Sequence, residues 1–206
     1  MSDAEVRRKD LREERRQAIL EAALRLFAER GYHETKMDDV AEKAGLSKGA
    51  IYLYYQNKED LFFSLLSQKM DQAVPAVEKA LKQSRSLTEL VRNVVATLLE
   101  LREKNKDFYR IFYSEQPRFD LGSRRGVEIL IEKFDDLITR LGRAFELFMP
   151  EADGQGGARD LAICLLGMLN AHTIDWMVTH DPRPLVARTD LIARVFLRGV
   201  LPNGNG

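Results

Sequence analysis

Apolar residues recur at i, i+3, i+4 and i+7 along almost the whole chain, and runs alternating apolar with polar residues are missing. The first spacing lines one face of a helix, whereas alternation would line one face of a strand. No proline occurs before Pro75, and glycine is sparse until Gly154, Gly156 and Gly157. These features predict an all-α protein of about nine helices. With 206 residues, the chain is long enough for one or two domains. Its 45% apolar content supplies a core, and 31% charged residues make a well-solvated surface.

Several classes drop out early. The longest apolar stretch, Leu161 to Leu169, falls far short of the ~20 residues a membrane span needs. The first sixteen residues hold eleven charges, which no secretory signal tolerates. The single cysteine, Cys164, excludes an internal disulfide and a multi-cysteine metal site; its apolar neighbours predict a buried side chain. No glycine-rich phosphate loop, Cys/His cluster or nucleophile constellation is present, so neither enzyme activity nor a cofactor is expected. The expectation is a soluble cytoplasmic protein with no membrane segment.

The first sixty residues are the most informative. A first helix, about Asp10 to Glu29, carries Ile19, Leu20, Ala23, Leu24, Leu26 and Phe27 on its apolar stripe and ends at Gly31. A second opens at Thr35, with Thr35 and Asp38 spaced as a capping box, and ends at Gly45. Ser47 is placed to cap a third, Lys48 to Tyr54, and Asn57 to cap a longer fourth with Pro75 as a kink or break. Two short helices joined by a glycine turn form a helix-turn-helix, whose second helix lies in the major groove. Lys48-Gly49-Ala50 gives that helix a cation and a small start, Tyr52 and Tyr54 add rings and hydroxyls, and Lys58 begins the next helix beside a phosphate seat.

These residues carry a resemblance. Ala22 to Tyr32, Thr35 to Ala41, Ala44 to Tyr52 and Lys58 to Leu61 resemble, in residue and spacing, the DNA-binding domain of TetR-type transcriptional regulators. The resemblance implies DNA contact by Thr35, Lys36, Ser47, Lys48, Gly49, Tyr52, Tyr54 and Lys58. It also implies an inward-packed Tyr55 and a departure at Leu53, where many members carry a polar side chain. Helix capping explains Thr35 and Ser47 equally well, and Tyr54 is also explained by packing on the first helix. Residues 1–55 balance eleven basic with eleven acidic side chains, an unusual ratio for a DNA binder. Arg7 to Arg16 holds six basic and three acidic residues. Such a segment is either an arm reaching a neighbouring groove or a solvated helix laced by Lys9–Glu13 and Glu13–Arg16 pairs, and the second reading is favoured.

Residues 1–56 are therefore read as the DNA-binding domain and 57–206 as a helical ligand-binding and dimerisation domain. Helices are expected at Leu87 to Lys104, Asp107 to about Glu115, Ser123 to Met149, Ala158 to Thr179 and Leu185 to Leu201. The last two are apolar on more than one side, which requires burial on more than one side. A homodimer through this pair is expected, with Val195 and Phe196 facing outward, and with it a palindromic operator on double-stranded DNA. Aromatics crowd the middle helices, most of them as core. The resemblance implies a pocket there for a small-molecule inducer, and the Phe, Leu and Met of these helices, with few cations on their apolar faces, predict an apolar one. Phe112, Tyr113, Phe134, Met168, His172 and Trp176 are its candidate lining, with His172 and Tyr113 as polar anchors. His172 and Asp175, spaced i, i+3, lack a third ligand for a metal, and a satisfied hydrogen bond explains them better than an enzyme's acid–base pair. The expected function is a ligand-released repressor; the alternative is a helical interaction module without sequence-specific DNA binding.

Overall fold

A computed structural model describes residues 3–115, 124–149 and 157–200. Among these residues all regular structure is helical. The helices are α1 (Asp3–Arg30), α2 (Met37–Lys43), α3 (Lys48–Ile51), α4 (Lys58–Asp71), α5 (Ala73–Gln83), α6 (Leu87–Lys104), α7 (Lys106–Glu115), α8 (Arg124–Glu146), α9 (Ala158–Val178) and α10 (Thr189–Val200). A 3-10 turn, Leu185–Arg188, leads into α10. The expected fourth helix is divided at Gln72. Pro75 does not kink it but sits in the first turn of α5, where a missing N–H costs nothing. Phe119 and most of the expected loop at Asp153–Gly157 lie outside the described residues.

The chain divides into two compact units, Met1–Gln68 with Asp107–Leu130 and Lys69–Lys106 with Ile131–Gly206. In the first, α1 buries Ile19, Ala23, Leu26 and Phe27 among Val40 and Ala41 of α2, Ile51 of α3, and Leu61, Phe62 and Leu65 of α4. Phe27 and Tyr32 both set their rings against Phe62, with centroids 6.2 and 5.4 Å away. Each fully buried Ile, Leu, Val or Phe side chain here contributes about 1.5–3 kcal/mol. Asn57 caps α4 as expected, accepting the Asp60 N–H at 2.7 Å, and Asp60 reaches back to the Gln56 N–H at 3.0 Å.

The second unit is built around α6, which packs against α5, α9, α10 and the 3-10 turn. Ser86 caps α6 by accepting the Glu89 N–H at 3.2 Å. Leu90, Val91, Val94, Val95, Leu98 and Leu99 face the core from it. Gly142 on α8 packs against the start of α9, where a Cβ would lie 3.4 Å from the Arg159 backbone nitrogen, in van der Waals contact. Phe145 stacks on Phe196 at 5.7 Å.

Two expectations about the last helices need correcting. Cys164 is exposed, because α9 turns Ala162, Leu165, Leu166, Leu169, Thr173 and Trp176 inward and Ile163, Cys164 and Gly167 outward. Phe196 is buried within its own unit, while the neighbouring Val195 is 53% exposed. The apolar run at Leu161–Leu169 also understated α9. By length and composition that helix could cross a membrane, but its inward face is packed in the core of the unit.

Candidate nucleic-acid interface

The geometry of α2 and α3 is set by a short turn. Gly45 takes φ +69°, a conformation that favours glycine, and the Leu46 N–H donates to the Ala41 carbonyl at 2.9 Å. Gly31 closes α1 in the same way, with φ +85° and its N–H on the Phe27 carbonyl at 2.9 Å. Ile51 anchors α3 in the core, leaving Ser47, Lys48, Gly49, Tyr52 and Leu53 on the outside. Leu53 is 77% exposed, and Tyr54 is half-buried. A Cβ at Gly49 would meet nothing within 4 Å, so the chain's own packing does not demand glycine there.

The expected capping box is not formed. Thr35 is buried, and its hydroxyl donates to the Gly31 carbonyl at 2.8 Å rather than capping α2. The helix consequently begins at Met37, with Lys36 exposed at its cap position. Asp38, released from capping, accepts the Lys48 ammonium at 2.8 Å. That carboxylate holds the Lys48 pKa above its ordinary value, first through the hydrogen bond and then through its charge. Ser47 occupies the cap position of α3 without a side-chain bond to the helix.

Lys58 takes a different place from a phosphate seat. Its ammonium donates to the carbonyls of Tyr32, His33 and Thr35 at 2.7, 2.9 and 3.0 Å, and lies 4.6 Å from the Tyr32 ring centroid. Three bonds to one loop make it a clasp that holds the α1–α2 connection. Tyr55 is buried as expected, below the Arg16 guanidinium at 5.3 Å from its ring centroid. Burial pushes its hydroxyl pKa up to about 12.

The candidate ligand residues fall in both units. Phe112 and Tyr113 lie on α7 in the first, half-buried with centroids 5.3 Å apart. In the second unit, Phe134 lies on α8, and Met168, His172 and Trp176 form one i, i+4 row along α9. Trp176 is buried, its indole N–H donating to the Arg183 carbonyl at 2.8 Å, with the Lys106 ammonium 5.1 Å from its ring. Arg188 gathers the His172 region, donating to the His172 carbonyl at 3.0 Å, Asp175 at 2.8 Å and Asp181 at 3.0 Å. Burial, and then the Arg188 charge, lower the His172 pKa. No group of three His, Cys, Asp or Glu side chains suited to a metal occurs among the described residues. Sequence reasoning missed Arg102, a buried cation on α6 that donates to Thr173 at 3.0 Å. The signal was a lone arginine at the end of an otherwise apolar stripe.

Comparison with known proteins agrees with this geometry. Residues 19–65 match the family model described as bacterial regulatory proteins, tetR family. The fatty acid metabolism regulator protein of Bacillus subtilis is 24% identical over 186 residues, covering 88% of this chain and 93% of that protein. The transcriptional activator FasR of Mycolicibacterium smegmatis is 30% identical over 133 residues, 63% of this chain and 61% of that protein. Among solved structures, the transcriptional regulator FadR from Bacillus subtilis in complex with stearoyl-CoA superposes with a TM-score of 0.76. It is 22% identical and covers 90% of this chain and 99% of its own. The matched segment, residues 19–65, holds the helix-turn-helix, and over it the chain is similar to bacterial regulatory proteins of the tetR family.

Proposed function

We propose that this chain is a TetR-type DNA-binding transcriptional regulator, a dimeric repressor released from a palindromic operator by an acyl-bearing small molecule. The observation that carries the DNA-binding face is the outward start of α3. There Lys48 and Tyr52 are exposed, and Gly49 is small without any internal reason to be. Lys36, Ser47, Lys48, Gly49, Tyr52 and Tyr54 form the proposed contact set. Thr35 and Lys58 support it from the loop they bind. In this reading residues 1–56 bind DNA, and 57–206 bind ligand and dimerise.

The dimer is proposed through α9 and α10. Ile163, Ile174 and Val178 on one, and Leu191 and Val195 on the other, are large apolar side chains left exposed on a single chain. The ligand class is proposed from the candidate lining residues of the second unit, Phe134, Met168, His172 and Trp176. It is also supported by relatives that regulate fatty acid metabolism or hold stearoyl-CoA. A DNA-bound regulator of this kind acts in the cytoplasm.

The test uses the full chain, a duplex enriched by it from a random-sequence pool, and stearoyl-CoA as probe. A ligand that prefers the DNA-free state lowers DNA affinity and raises the melting temperature together, because both follow from one linkage. That paired response is expected. Tighter DNA binding on addition would make the protein a ligand-dependent binder and overturn release, and no response from any acyl-CoA or free fatty acid would overturn the ligand class.

A further inference from the structure

The cations of the helix-turn-helix are largely occupied. Lys48 is held by Asp38 at 2.8 Å, Arg30 faces Asp39 at 3.6 Å, Lys43 bonds Glu29 at 3.0 Å, and Lys58 is bound to three carbonyls. The exposed half of α1 differs. Every residue from Glu5 to Arg15 is exposed. The side chains of Arg7, Arg8, Lys9, Arg12 and Arg15 make no ion pair or hydrogen bond among the described residues. The Lys9–Glu13 pair of the solvated-helix reading is not formed; Glu13 meets Gln17 at 3.1 Å and Arg16 at 3.9 Å.

From Arg7 to Arg16 these charges are sorted by face, while Glu5 borders the basic side. At 3.6 residues per turn, Arg8, Arg12 and Arg15 fall within an arc of about 60°, and Asp10, Glu13 and Glu14 lie on the opposite side. The arginine arc is in line with Ile19, Ala23 and Leu26, the stripe that α1 buries against the helix-turn-helix. The basic row thus continues the line of that stripe along the exposed part of α1. Its inner end is Arg16, seated over Tyr55, which directly follows the turn ending α3. Arg8–Arg12 and Arg12–Arg16 are like-charge i, i+4 pairs, an arrangement that destabilises a free helix and is relieved by a polyanion.

We infer that the N-terminal half of α1 is a second DNA-contacting element, with Arg8, Arg12 and Arg15 meeting phosphates beyond the bases that α3 reaches. The inference rests on the proposed role of the chain as a DNA-binding regulator. It also explains how a domain with balanced charge gains affinity for a polyanion: the unpaired positive charge is concentrated on the arm. Phosphate contacts add affinity without reading sequence.

The test is the triple variant Arg8→Gln, Arg12→Gln and Arg15→Gln in the full chain, with glutamine keeping the helix propensity. Affinity is measured against salt for the enriched duplex and for an unrelated duplex of equal length. The salt slope is expected to fall by roughly 0.9 for each phosphate that is no longer neutralised, so by about 2–3 per protomer, while the ratio between the two duplexes stays unchanged. An unchanged slope in the variant overturns the arm, and a collapse of the ratio overturns its assignment to phosphates. Wild-type binding without salt dependence would instead strike at the DNA-binding reading itself.

Discussion

The Lys48 ammonium, exposed at the start of α3, lies 2.8 Å from the Asp38 carboxylate of α2. A lysine on the helix proposed to face DNA is thus paired with its neighbour in the free protein, and on that proposal it leaves Asp38 to meet a phosphate. Asp38 also sets a negative charge beside the approaching duplex. Asp38→Asn is therefore expected to tighten binding to the enriched duplex by roughly two- to fivefold at low salt, whereas Lys48→Ala weakens it. Fluorescence anisotropy on both variants checks the signs; weaker binding by Asp38→Asn would mean that the pair orients Lys48 rather than restrains it.

Tyr55 offers a test of packing. Its ring is buried, and its hydroxyl has no hydrogen-bond partner among the described residues. An orphaned buried hydroxyl costs about 1–3 kcal/mol, so Tyr55→Phe is expected to stabilise the chain by about 1 kcal/mol in chemical denaturation. The pH dependence follows from the raised pKa. The folded state keeps the hydroxyl protonated up to about 12, against the ordinary value of 10.0. That contribution is complete below pH 10 and is lost as the pH rises towards 12. Tyr55→Phe should flatten this alkaline loss relative to wild type, and identical profiles would contradict the burial argument.

The sequence was legible where local rules decide. Gly31 and Gly45 mark helix ends through their left-handed backbone, and Asn57 caps α4 through its side chain. The short helix α3 followed from these punctuation marks. Local rules misread Thr35 and Asp38, whose spacing fits a capping box. Tertiary partners, Gly31 for one and Lys48 for the other, were visible only once the helices were assembled. For the same reason Lys58 read as an open cation. In α9 and α10 an all-round apolar pattern could not say which side faces the core, so the pattern placed both Cys164 and Phe196 on the wrong face.

That last ambiguity now makes a prediction. Val195 is 53% exposed, whereas Phe196 is 5% exposed and stacks on Phe145. A charge at Val195 would be buried only if a second chain covers the α9–α10 face, so Val195→Glu is expected to split the proposed dimer while each protomer keeps its melting behaviour. Phe196→Glu should instead unfold the second unit. Sedimentation velocity with circular dichroism separates the two. A dimer that survives Val195→Glu at micromolar concentration would move the interface elsewhere.

Lys58 decides between two roles with different signatures. Its three carbonyl bonds span residues 32 to 35, the loop from which α2 and hence α3 are set. Lys58→Met keeps much of the stem but leaves those carbonyls without their charged donor, a loss of about 1.5–3 kcal/mol if each competing water bond is imperfect. As a clasp, Lys58 predicts a lower melting temperature. It also predicts weaker DNA binding with a nearly unchanged salt slope, because the loop is misplaced while the phosphate contacts are not removed. As a phosphate contact, it predicts a slope reduced by about 0.9 and little change in melting. The bonds in the structure favour the first outcome. A full-strength clasp also predicts that Lys58→Arg fails to restore binding, since a planar guanidinium cannot direct three donors onto three carbonyls as a compact ammonium does.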